Sequence, residues 1–145
     1  MHRIVRALLV LVLLAAPGVA SATLDSFLSS VNVQARADLP GFHATVSAQF
    51  GVPVPQVEAV LGMVATPADA FMVFQLGQMA HRSPETVVQT YQAHKGKGWG
   101  VIAKELGIKP GSREFHALKK GDLVYGGAAS SSSGKGKGKG KGHNK

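Results

Sequence analysis

Apolar residues recur at intervals of three and four along most of the chain. From Leu24 to about Asp38, the positions Leu24, Phe27, Leu28, Val31 and Ala35 keep this spacing, which marks a helix with one buried stripe. Pro40-Gly41 interrupts, and Phe42 to Phe50 resumes the helix with Val46 and Phe50 four apart. The alternation in Phe42-His-Ala-Thr-Val-Ser, rich in β-branched residues, leaves a hairpin as the alternative there. Gly51-Val-Pro-Val-Pro55 predicts a turn, and Pro55 suits the first position of a helix through Val64.

The middle of the chain carries stronger punctuation. Thr66-Pro67-Ala68-Asp69 joins a capping hydroxyl, a first-turn proline and an acid three residues on. The helix that follows, Ala68 to about His81, holds Ala70-Phe-Met-Val-Phe74, Leu76 and Met79. It is apolar on most sides, which places it at the centre of a bundle. Ser83-Pro84-Glu85 repeats the start signal for a helix through Val87, Val88 and Tyr91 to about His94, ended by Lys95-Gly-Lys-Gly98. Trp99 to Leu106 reads as a short helix stopped by Gly107, and Ser112 caps a last one reaching about Lys120. The expected class is all-α: a small bundle of about five to six short helices over residues 23–125.

The two ends differ from this pattern. Arg3 and Arg6 precede the apolar run Ala7 to Ala16, Pro17-Gly18 breaks it, and Ala20-Ser21-Ala22 offers a small-x-small cleavage site. These are the three parts of a secretory signal in order. The run is shorter than the roughly 20 residues a bilayer span needs, so residues 1–22 are expected to be a signal peptide. Removal would start the mature chain at Thr23, with a periplasmic or extracellular destination and no membrane span left. Residues 126–145 collapse to Gly, Ala and Ser and then to Gly-Lys repeats. Such a segment buries too little surface to offset the entropy of ordering, and disorder is expected.

The chain has no cysteine, which excludes disulfides, thiolate zinc sites and thiol catalysis. Its net charge of +8 comes mostly from the two ends. Residues 23–133 hold nine Lys/Arg against eight Asp/Glu, a balance of +1. The basic pI is therefore a property of the leader and tail, not of the folded part. In the tail, Lys135, Lys137, Lys139, Lys141 and Lys145 alternate largely with glycine. Extended, successive lysines lie about 7 Å apart, close to phosphate spacing on a single strand. Five lysines give a log–log salt slope of at most roughly −3.5 on single strands, and each contributes about 1 kcal/mol at an anionic membrane. This chemistry implies weak, salt-sensitive attraction to polyanions: anionic envelope lipid, lipopolysaccharide or extracellular nucleic acid.

Motifs for catalysis are missing from the sequence. His43, His81, His94 and His116 form no pair three or four apart, so no metal or cofactor is expected. Asp69 and Glu85 read as helix-start acids and Glu105 as a partner for nearby lysines. Lys95-Gly-Lys-Gly-Trp99 lacks the spacing of a Walker loop or a dinucleotide fingerprint; it reads as a helix end followed by an anchoring tryptophan, with a small anion site as the alternative. The expected role is non-enzymatic.

Two resemblances add to this reading. The run Trp99-Gly-Val-Ile102-Ala103-Lys-Glu-Leu106-Gly107-Ile108, followed by Ser112 and Leu118, resembles a repressor-type helix-turn-helix. That resemblance implies DNA contacts from Arg113, His116, Lys119 and Lys120, with Glu114 repelled by phosphate. Arg113 stands where the motif usually has an apolar residue. The segments Phe50-Gly-Val-Pro-Val-Pro55, Pro67-Ala-Asp-Ala-Phe71 and Gly96 to Gly111, with the Gly-Lys tail, also resemble a group of small exported proteobacterial proteins without assigned activity. It implies export and a shared fold. The leading expectation is an exported binding or interaction module with a polyanion-attracting tail, its partner an anionic envelope component or another protein; the alternative is a small helix-turn-helix DNA-binding protein.

Overall fold

The computed structural model describes residues 23–127; the expected leader, and the tail from 128 on, lie outside the described residues. Seven helices follow in order: α1 (Leu24–Ala37), α2 (Leu39–Phe50), α3 (Val54–Leu61), α4 (Pro67–Ala80), α5 (Pro84–Ala93), α6 (Trp99–Glu105) and α7 (Arg113–Lys120). The protein is all-α, with no strand among the described residues.

Side-chain caps set most of the helix starts. Thr23, Thr66, Ser83 and Ser112 each accept a hydrogen bond from the backbone N–H three residues on, at 3.2–3.3 Å. Each satisfies one of the orphan donors of a first turn. Asp38 does the same for Gly41 at 2.9 Å. That cap changes the expected boundary. Pro40 does not interrupt a helix but lies in the first turn of α2, where its missing N–H costs nothing. The break falls at Asp38 instead, and 42–50 is helix rather than hairpin. The stretch 24–50 therefore forms two capped helices, and the bundle has seven helices where about five to six were expected.

Helix α4 is the hub. It packs against α1, α2, α3 and α5 and buries Phe71, Met72, Val73 and Leu76 completely. Phe71 meets the rings of Phe27, Phe50 and Tyr125 with centroids 5.4–5.8 Å apart, a separation at which tilted aromatic pairs attract. Burial of Val31, Phe42, Val46, Val57 and Val87 completes this core. Gly77 faces the Arg82 carbonyl, where a Cβ would come within 2.9 Å, so the α4–α5 turn can close tightly over it.

The segment after α7 returns to α2. The Gln49 amide donates to the Val124 carbonyl at 2.7 Å and accepts from the Gly126 N–H at 3.1 Å. Tyr125 stacks on Phe42 at 5.8 Å. Gly126, which composition assigns to the tail, is thus tied to the bundle. At the other end of this strap, Gly121 has φ +66° and a Cβ there would overlap the Thr23 carbonyl. Only glycine lets the start of α1 and the end of α7 meet so closely.

Candidate functional site

Two features gather polar chemistry in the folded chain. The first is the junction of α4, α5 and α6. Asp69, in the first turn of α4, is half-buried. Its Oδ1 accepts from the Trp99 indole Nε1–H at 3.2 Å and its Oδ2 from the Tyr91 O–H at 3.3 Å. The Tyr91 oxygen in turn accepts from the Ala65 N–H at 3.3 Å. The two rings stack with centroids 5.3 Å apart at 25°. Burial is the leading cause that raises the Tyr91 phenol above its ordinary value, with the neighbouring Asp69 charge acting in the same direction against the Ala65 hydrogen bond.

A shallow depression of about 260 Å3 opens beside this clasp, between Asp69, Trp99 and the glycines of the Lys95–Gly98 loop. Each polar atom of the trio is already partnered within it. The arrangement therefore acts as an anchor, fixing the loop and the start of α6 onto α4. Sequence reading placed Trp99 as an anchor and Asp69 as a helix-start acid. It missed that one serves the other, because thirty residues separate them and no local signal links them.

The second feature is the exposed face of α7. Ser112 caps the helix, Leu118 is fully buried and Phe115 is half-buried. This leaves Arg113, His116, Lys119 and Lys120 in solvent, together with Glu114. Three of the four expected DNA-contacting residues line one open groove of about 780 Å3: Arg113, His116 and Lys120, facing Met79 at the end of α4. Glu114 and Asp122 also line it. Lys119 is turned away, with its Nζ 5.9 Å from the Phe115 ring centroid.

Packing inside the α6–α7 pair follows the apolar pattern. Ile102, Ala103, Leu106, Ile108 and Leu118 are buried. Gly107 takes φ +96°, and the Ile108 N–H closes back on the Ala103 carbonyl at 2.9 Å. The connector runs from residue 106 to 112, longer than the three to four residues typical of a helix-turn-helix. Glu105, expected to pair with lysine, instead lies 4.0 Å from His94 Nε2.

Charge divides along the chain in a way the overall balance conceals. Residues 23–94 carry two Lys/Arg against five Asp/Glu; residues 95–127 carry seven against three. All seven cations of the second group, Lys95 through Lys120, are exposed. The five tail lysines lie outside the described residues. Among the described residues, no group of three His, Cys, Asp or Glu could hold a metal ion, and no helix is long and apolar enough to cross a membrane.

Fold and surface together define a class: a small all-α bundle with a cationic C-terminal lobe. No family model, curated protein or solved structure matches the chain.

Proposed function

We propose that the chain is an exported, non-enzymatic interaction module that attaches to anionic partners through its C-terminal lobe and lysine tail. The observation that carries this reading is the exposure of every cation from Lys95 to Lys120, directly upstream of Lys135, Lys137, Lys139, Lys141 and Lys145. An uneven charge distribution of this kind steers association with polyanions although the folded part is nearly neutral overall. The leader pattern at residues 1–22 supports an envelope or extracellular setting, with anionic lipid, lipopolysaccharide or extracellular nucleic acid as partners. Mass spectrometry of the N-terminus tests the first half: a chain beginning at Thr23 outside the inner membrane is expected, and an intact cytoplasmic chain overturns it. Retention on heparin with and without residues 134–145 tests the second: retention should fall with tail removal and with salt, and unchanged retention overturns the tail's role.

A second reading is a DNA-binding protein that uses α6 and α7. It is favoured by the burial of Ile102, Ala103, Leu106, Ile108 and Leu118 at the motif's apolar positions. Sequence-selective duplex binding that is lost on Arg113→Ala and Lys119→Ala would support it; binding that ignores both substitutions removes it.

A further inference from the structure

We infer that the seat of Thr23 on Gly121 is a lock on the bond that leader removal must break: the folded bundle closes Ala22–Thr23 to a peptidase, so cleavage precedes the docking of α1 on α7. This rests on the export reading above and deepens it by fixing the order of the two events.

Leader removal is hydrolysis of the Ala22–Thr23 amide. Its C–N bond breaks, the hydroxyl of a water joins the Ala22 carbonyl carbon and a proton goes to the Thr23 nitrogen. A peptidase takes its substrate as an extended strand, with main-chain N–H and C=O groups free to pair with the enzyme. Thr23 is extended, with φ −115° and ψ 164°, but the chain is helical from Leu24 onward.

The groups just past the bond are engaged in the fold. The Thr23 carbonyl accepts from the Phe27 N–H at 3.1 Å, and the Thr23 hydroxyl oxygen from the Ser26 N–H at 3.3 Å. Leu24 is half-buried and packs against the core. A free helix end opens at little cost, and fraying of the first turn would then expose the bond. Here α7 holds that turn from outside. Gly121, in the left-handed turn that ends α7, lies so close that a Cβ there would overlap the Thr23 carbonyl and come within 3.0 Å of the Leu24 nitrogen. To present residues 23 and 24 as a strand, the chain must break the cap, lift Leu24 from the core and leave Gly121 together. A chain cut before folding meets no such barrier. A chain that folds first keeps its leader.

The test uses the full chain from Met1, folded by circular dichroism in mild detergent, and a purified signal peptidase. A peptide from Met1 to Asn32, too short to hold its part of α1 helical, sets the unprotected rate. Mass spectrometry reads cleavage at Ala22–Thr23. The folded chain should be cut about 30-fold or more slowly than the peptide. Gly121→Ala loosens the seat without touching the sequence around the bond, and should be cut about 5- to 30-fold faster than the unaltered folded chain. Equal rates for peptide and folded chain overturn the lock while the export reading stands. A folded Gly121→Ala chain cut no faster than the unaltered one overturns it as well. Should that variant fail to fold, hydrogen exchange in the unaltered chain decides: the Ser26 and Phe27 amides should be protected, and exchange at open-chain rates overturns the lock. If the peptide itself is not cut at Ala22–Thr23, the leader reading falls and the lock with it.

Discussion

The segment from α1 to α5 and the segment from the Lys95 loop to the strap divide the work of the molecule. The first holds the long helices α1, α2 and α4, of 14, 12 and 14 residues, and nearly all of the completely buried side chains. Its charge balance is −3. The second holds α6 and α7, of 7 and 8 residues, and its balance is +4 from residues 95–127. Helices this short are marginal alone and take their stability from tertiary contacts. The contrast teaches how a small chain presents concentrated charge. Repulsion among exposed cations is carried by a thin lobe, and that lobe is pinned at a few points to a neutral-to-acidic core. The pins are Leu118, the Asp69–Trp99–Tyr91 clasp, the Thr23–Gly121 approach and the Gln49–Val124 bridge.

Substitutions on the two sides should therefore differ in kind, and the largest effects come first. Phe71→Ala removes the ring around which Phe27, Phe50 and Tyr125 pack; it should cost about 3–5 kcal/mol and lower the whole transition in urea denaturation. Leu118→Ala should cost about 2–5 kcal/mol, but hydrogen exchange should rise first in α7 and only later in α4. Equal loss of protection in both helices would mean that the lobe is not separable from the core. Asp69→Ala leaves the Trp99 N–H and Tyr91 O–H without their acceptor and should cost about 1–3 kcal/mol. Amide exchange should quicken between Lys95 and Trp99 in that variant. If it does not, the clasp is not what holds the loop.

Smaller effects sharpen the same division. Ser112→Ala should cost about 0.5–2 kcal/mol through the lost cap, visible as fraying at the start of α7. The alkaline limb of stability probes both segments together. Burial, before any other cause, raises the phenols of Tyr91 and Tyr125 in the folded chain. The folded state thus holds these protons where the unfolded state has begun to lose them. Their contribution is complete below the ordinary tyrosine value of about 10 and declines as pH climbs above it. Tyr91→Phe and Tyr125→Phe should each flatten that decline in thermal melts taken across the alkaline range; an unchanged slope would place its origin elsewhere.

How much of this was legible in advance follows from the range of each interaction. Thr66, Ser83 and Ser112 announce their helices because a capping oxygen and the N–H it accepts from are three residues apart, within one turn. The density of apolar residues between Ala70 and Leu76 likewise places α4 at the centre, since no face of that helix can be left in water. Asp38 escaped because Pro40-Gly41 reads equally as a breaker or as a first turn, and the choice depends on whether the preceding acid bonds the Gly41 N–H.

The cationic face of α7 was named residue by residue from spacing, yet its groove was not, since Met79 and Asp122 reach it from outside the helix. Which carboxylate receives the Trp99 indole, which amide bridges the Val124 strap and which glycine lies beneath Thr23 were open from the chain alone. These partners lie 30, 75 and 98 residues apart, and several residues of each type could have filled every role. Short-range hydrogen bonding and helical period are properties of neighbouring residues. The pairing of distant polar groups is settled only when close packing brings two particular surfaces together and leaves a buried donor one acceptor within reach.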